Sequence, residues 1–258
     1  MNYAALLLLL CFSFLNSGCE KEQISELSES QFSHLSNNEL TIFDHKFVKV
    51  ASVPHIYVAE TETPQHLFDR IYGRMSYNAW ASQETSILNS SKIIKLGADY
   101  PIVAFNVFKI EMFCKHLTLT AQEEGLIGLD QCIRLLKEDE WDSLKKTSGY
   151  DESKNKILLA NGFEERIHDK IYPLNASLVK EVDTKITDKN GLKNFFGNVA
   201  EFVKPNLVNC NELTDIKVKI FGGDCNIRTS SLYDDEAIVN LSFESYTAGF
   251  RLCISKIE

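Results

Sequence analysis

The chain has 258 residues, a hydrophobic fraction of 44% and a net charge of −9 at neutral pH. Length and composition suit one large globular domain or two small ones. The acidic balance excludes general nucleic-acid binding, which needs a basic face. No stretch beyond the N-terminus approaches the roughly 20 apolar residues of a spanning helix.

Ala4 to Leu15 is nearly unbroken hydrocarbon. At about a dozen residues it suits the apolar core of a signal peptide and is short for a membrane span. Leu15-Asn16-Ser17-Gly18-Cys19 follows, and small residues before a cysteine resemble a lipobox. The expectation is a signal peptide over residues 1–18 and a mature chain that begins at Cys19, acylated with palmitate-type chains. Stable anchoring needs more than one such chain. Glu20 stands after the cysteine where Asp would signal inner-membrane retention, so the expected address is the outer membrane, facing the periplasm or the surface. Residues 19–43 read as the lipidated end and a polar tether, because Glu20 to Leu40 is rich in Glu, Gln, Ser and Asn without a strong period. The domain proper is expected over 44–258.

Phe47 to Val58 carries short Val-, Ile- and Tyr-containing runs broken by Pro54, which predicts strand, turn, strand. Thr63-Pro64 predicts a helix start, with Thr63 as cap and Pro64 in the first position. Leu67, Phe68, Ile71, Tyr72 and Met75 then mark one apolar face. Tyr100 to Phe105 reads as a short buried run. Phe108 to Leu117 predicts a helix with Phe108, Met112, Phe113 and Leu117 inward. Lys137 to Lys146 predicts a charged helix with Trp141 and Leu144 on its buried side. Gly149 to Lys189 has a weak pattern and is expected to be loop. Val218 to Phe221 before Gly222-Gly223, and Gly249 to Ile254, read as strands. The balance is α+β, in one compact domain rich in irregular loops.

Seven cysteines are present, of which Cys11 falls in the signal peptide and Cys19 carries the lipid. Cys114, Cys132, Cys210, Cys225 and Cys253 belong to the domain. Their odd number leaves at least one free or paired outside the chain. Neither the cysteines nor the six histidines have zinc-like spacing.

Five segments in order resemble the blocks of the formylglycine-generating-enzyme, or sulfatase-modifying-factor, family. His55-Ile56-Tyr57-Val58-Ala59-Glu60-Thr61-Glu62-Thr63 is similar to its F-Y-I-x-x-x-E-V-T block. Tyr100-Pro101-Ile102-Val103 through Phe113-Cys114-Lys115-His116-Leu117 is similar to P-V-V-x-V-x-W-x-x-A-x-x-Y-C-x-W-L. Arg134 to Trp141 resembles R-L-P-T-E-A-E-W, and Asn190 to Phe202 resembles N-G-L-Y-D-M-x-G-N-V-W-E-W. Gly222-Gly223-Asp224 and Gly249-Phe250-Arg251 resemble the closing R-G-G-S-W and G-F-R blocks. The resemblance implies a single domain of a C-type-lectin-like variant. It implies calcium held by the side chains of Asn194 and Glu201 and the carbonyls of Gly197 and Val199, a hard-oxygen set of the kind calcium takes. It also implies a disulfide between Cys114 and Cys253; Cys210 and Cys225 could then form a second, leaving Cys132 free.

The resemblance fails at the family's chemistry. The positions of its copper-binding cysteine pair hold Ile227 and Leu232, and Cys225 lies two residues early as a weak substitute. Copper, which as the cuprous ion favours paired soft thiolates, is therefore not expected. Trp141, Glu138 and Glu140 read as fold residues, and Arg134 and Arg251 as ties between loops. The expected function is an envelope lipoprotein, tethered to the membrane and acting through binding or assembly with envelope proteins. The alternative is an oxidoreductase or protein-modifying enzyme of the same family with an altered site.

Overall fold

The computed structural model describes residues 38–73, 76–83, 95–149, 179–183, 187–205, 217–223 and 236–257. These residues build two sheets, and four helices are described with them. The first sheet contains β1 (Glu39–Ile42), β2 (His45–Lys49), β3 (Tyr57–Ala59), β9 (Leu252–Lys256) and β4 (Gln131–Leu135), in that spatial order and antiparallel throughout. The second runs β7 (Glu236–Asn240), β6 (Lys217–Phe221), β5 (Ala200–Phe202) and β8 (Ala248–Phe250), with β5 and β8 parallel. The α+β expectation stands. β1 begins inside the stretch read as tether, since pairing with β2 gives its backbone groups partners that a solvated linker lacks.

Helix α1 (Gln65–Tyr72) buries Leu67 and Phe68 as its period predicts. Its start differs from the expectation. Pro64 stands just before the helix, and Thr63 makes no cap. Instead the Thr63 backbone ties two neighbours together, donating to Phe250 O at 2.9 Å and accepting from Ile102 N at 2.8 Å. Helix α2 (Tyr77–Gln83) follows, and the Tyr77 hydroxyl both donates to Val103 O and accepts from Val103 N. Together with Gln65, which donates to Pro101 O, this secures the buried run from Tyr100 to Phe105, which is not a ladder strand.

Helix α3 (Val107–Glu123) is capped by Asn106, whose side chain accepts from Lys109 N. Its inward stripe is Val107, Ile110, Phe113, Cys114, Leu117 and Ala121, a regular three- and four-residue spacing. Phe113 and Leu117 are inward as expected, whereas Phe108 and Met112 are each 52% exposed. They lie off the axis of that stripe. The polar flank of α3 closes the free edge of β4. Thr118 Oγ1 accepts from Ile133 N at 2.9 Å and donates to Ile133 O at 3.2 Å, and Gln122 donates to Gln131 O at 2.9 Å. An edge strand so covered is no template for foreign strands.

Helix α4 (Glu138–Thr147) buries Trp141 and Leu144, as predicted. Glu140 reaches back to accept from Lys137 N at 2.7 Å, and acidic residues fill the first turn. The Trp141 ring stacks between Phe195 and Phe221 at centroid distances of 4.8 and 4.7 Å. This aromatic cluster, with Val58, Leu136, Phe196 and Cys253, forms one core. The other gathers Phe47, Phe68, Tyr77, Phe105, Phe113 and Phe250. The expected final strand is two strands, β8 in one sheet and β9 in the other, parted at Arg251.

Candidate functional site

Arg251 sits where the chain passes from the second sheet to the first, and its side chain is buried. A buried guanidinium must place its donors on acceptors. Nε donates to Glu201 Oε1 at 2.9 Å, and Nη2 approaches the same oxygen at 2.8 Å. Nη1 donates to the carbonyls of Ala59 and Glu60, and Nη2 to that of Lys193. One side chain thus binds β5, the end of β3 and the loop after Gly191. Glu201 receives a further bond at Oε2 from Trp141 Nε1 at 3.4 Å. Burial raises the Glu201 pKa, against the opposing pull of Arg251.

A second buried carboxyl lies beside this pair. Glu62 is fully buried, with Oε2 accepting from Asn194 Nδ2 and Oε1 from Asn198 Nδ2, both at 3.0 Å. Burial pushes its pKa up to about 8, outweighing the pull of Arg251, and the charge of Glu201 adds to the rise. Asn194 and Asn198 both have positive φ, 51° and 60°, a conformation Asn tolerates better than most residues. Asn198 Nδ2 also donates to Lys180 O, while its Oδ1 accepts from Lys180 N. Upstream, Asp188 Oδ1 accepts from Asn190 N and Leu192 N and so closes the Asn190-Gly191 turn. Burial pushes the Asp188 pKa up to about 6.

Tight backbone packing keeps the loop in place. Gly197 N donates to Gly222 O at 2.8 Å. Gly222 has φ +86°, and a side chain there would press on Phe195 O. Gly249, paired with Glu201, is closer still: an added Cβ would lie 2.9 Å from Ile102 O. Glycine is required at such an approach.

The structure brings the four expected calcium residues into one loop, where Glu201 is paired with Arg251. Glu201 Oε1 is occupied by a guanidinium, so a positive charge already stands where calcium's charge would be. Asn194 turns Nδ2 toward Glu62. Among the described residues no group of three or more His, Cys, Asp or Glu has an arrangement that could hold a metal ion.

The Cys114–Cys253 bridge implied by the resemblance is not formed: Cys114, Cys132 and Cys253 are free thiols. Cys253 Sγ instead donates to Leu135 O. Cys114 packs into the core around Phe113, whereas Cys253 packs into the core around Trp141. Cys19, Cys210 and Cys225, with Ile227 and Leu232, lie outside the described residues. Among the described residues no helix is long and apolar enough to cross a membrane.

Arg134 and Glu140 form a second buried pair, joined by two hydrogen bonds of 2.8 and 2.7 Å. Burial alone would raise the Glu140 pKa. The bonds from Arg134 and from Lys137 N outweigh it and hold the carboxyl below its usual range. Sequence reasoning read Glu140 as a fold residue and Arg134 and Arg251 as ties between loops, and all three make such structural bonds. It assigned no role to Glu62 or to Asn198, although both lie inside quoted blocks. The available signal was an acid between Thr61 and Thr63, just after the apolar run Ile56 to Ala59 and Glu60.

No family model matches this chain, and no curated protein matches it. Solved structures do. The Treponema denticola variable protein 1 superposes with a TM-score of 0.53 at 16% identity, covering 83% of this chain and 97% of that one. PvdO from Pseudomonas aeruginosa superposes with a TM-score of 0.50 at 13% identity, covering 83% and 82%. These neighbours have formylglycine-generating-enzyme-like, C-type-lectin-like folds, and at such identities the likeness shows the fold alone.

Proposed function

We propose that this chain is an envelope lipoprotein whose formylglycine-generating-enzyme-like domain acts by binding or assembly and not by catalysis. The observation that carries this reading is the closure of the polar centre. Glu62, Asn194, Asn198, Glu201 and Arg251 are each at most 5% exposed, and they bond to one another or to backbone. Groups spent in this way hold loops together and have no face left for a substrate. Ile227 and Leu232 at the family's copper positions point the same way, since neither side chain carries a thiolate. The N-terminal apolar run and Cys19 supply the membrane attachment.

Two measurements test it. Copper-loaded protein incubated with a peptide carrying a sulfatase-type cysteine should yield no formylglycine by mass spectrometry. Conversion of the peptide would overturn the non-catalytic half. Cys19→Ala should move the protein from the membrane to the soluble envelope fraction. A variant that stays with the membrane would overturn the anchor.

A further inference from the structure

Three free thiols stand on adjoining elements: Cys114 on α3, Cys132 on β4 and Cys253 on β9. In the β4–β9 ladder Cys132 pairs with Ser255 and Arg134 with Cys253. Paired residues, and residues two apart on a strand, share a face. Cys132, Arg134, Cys253 and Ser255 therefore occupy the same side of the sheet. Their hydrogen bonds draw the group together. Cys132 Sγ lies 3.6 Å from Ser255 Oγ, which accepts from Arg134 Nε at 2.9 Å. Cys253 Sγ donates at 3.6 Å to Leu135 O, the same carbonyl that accepts from Arg134 Nη1 at 2.8 Å. Cys132 and Cys253 are thus each one shared partner away from the guanidinium. Cys114 stands one turn before Thr118, on the flank of α3 that lines β4. Burial pushes its thiol well up, and Glu111, Cys253 and Cys132 are close enough to add to that.

The three differ in access. Cys114 and Cys253 are buried, whereas Cys132 is partly exposed. We propose that Cys132 is the entry point of a thiol–disulfide exchange site, which takes up a small organic disulfide and is resolved by a buried thiol of the trio. The Cys132 thiolate attacks one sulfur of the incoming disulfide. That S–S bond breaks, a mixed disulfide forms on Cys132, and the first half leaves as a thiol. Cys253 or Cys114 then gives up its proton, attacks the Cys132 sulfur and expels the second half as a thiol. The incoming disulfide is reduced by two electrons, the protein gains one bridge, and the two hydrogens end on the two released thiols.

The Arg134 guanidinium, a positive charge, reaches Cys132 through one shared partner, Ser255 Oγ. Burial works against that charge, but hydrogen bonding to Glu140 and the neighbouring Cys253 and Cys132 outweigh it. The site does not depend on the membrane anchor.

The test uses the reduced full chain mixed with oxidised glutathione and followed by non-reducing peptide mapping. A glutathione adduct on Cys132 should appear first and give way to a bridge from Cys132 to Cys253 or to Cys114. Cys132→Ser should slow glutathione release by at least about tenfold, because the accessible nucleophile is gone. The Cys114→Ser/Cys253→Ser double variant should stall with a stable adduct on Cys132. A Cys114–Cys253 bridge that forms at the wild-type rate in Cys132→Ser would overturn the proposal. So would an adduct that persists on Cys132 in the wild type, or a Cys132 that never reacts. Should a variant fail to fold, the order of species in the wild-type time course decides.

Discussion

Arg251 Nη2 lies 2.8 Å from Glu201 Oε1, and both side chains are almost wholly buried. Removing one member of such a pair leaves the other charge without its partner in a dry interior, which costs about 3–5 kcal/mol. Arg251→Met should therefore lower stability by about that amount in urea unfolding. Replacing both partners at once, as Arg251→Met with Glu201→Leu, should recover part of the loss, because no orphan charge remains. The recovery will be incomplete, since the carbonyls of Ala59, Glu60 and Lys193 also lose a donor. A double variant no better than the single one would show that those carbonyl bonds, and not the ion pair, carry the effect.

Glu62 makes stability fall as pH rises. Its carboxyl has a folded pKa of about 8 against an ordinary 4.5, so the folded chain keeps a proton that the unfolded chain releases. That contribution is fully present below pH 4.5 and is lost between about pH 4.5 and 8. The slope is about 1.4 kcal/mol per pH unit for one proton. Between pH 5 and 8 the slope of stability against pH should lie about 1.4 kcal/mol per pH unit lower in the wild type than in Glu62→Gln, which keeps the slopes of His45 and Asp188. Equal slopes would place the negative charge on Glu62 in the folded protein.

His45 acts in the opposite direction. Burial, with lesser pushes from His66 and Arg251, lowers its folded pKa from 6.5 to about 3. Its Nε2 is buried and has no partner among the described residues, so a proton there would be costly. Stability linked to His45 is present above pH 6.5 and is lost as pH falls from there toward 3. His45→Leu should flatten the acid limb of the stability curve. An unchanged acid limb would assign that limb to other groups.

Calcium should leave the melting temperature unchanged, and so should its removal by chelation. An ion that binds the folded state raises stability in proportion to RT ln(1 + [L]/Kd). To bind through Glu201 it would first have to displace Arg251. A melting temperature that rises with calcium in the wild type but not in Glu201→Ala would mean that Glu201 does leave Arg251 for the ion.

The sequence by itself determined much of the local structure. Spacing marked Leu67, Phe68, Phe113, Leu117, Trp141 and Leu144 as inward, and all six are buried. Val218 to Phe221 before two glycines read correctly as a strand ending in a tight feature. These signals are legible because amphipathic period and turn chemistry act within a few residues. The ordered blocks also carried the fold class, since they fix which apolar and glycine positions meet.

Only the tertiary structure decided the rest. Phe108 and Met112 face outward because the Asn106 cap and the packing of Ile110, Phe113 and Leu117 set the rotation of α3. β1 became a strand because β2 offered it backbone partners that its polar composition did not announce. The oxygens of Glu201 suited either a cation or an arginine, and Arg251 lies 50 residues further along the chain. Cys114 and Cys253 were compatible with a bridge or with two thiols, and the structure holds them as thiols. In each of these cases the deciding partner is distant in sequence and near in space. A carboxylate or a thiol accepts several partners by its own chemistry, and the fold selects which of them arrives.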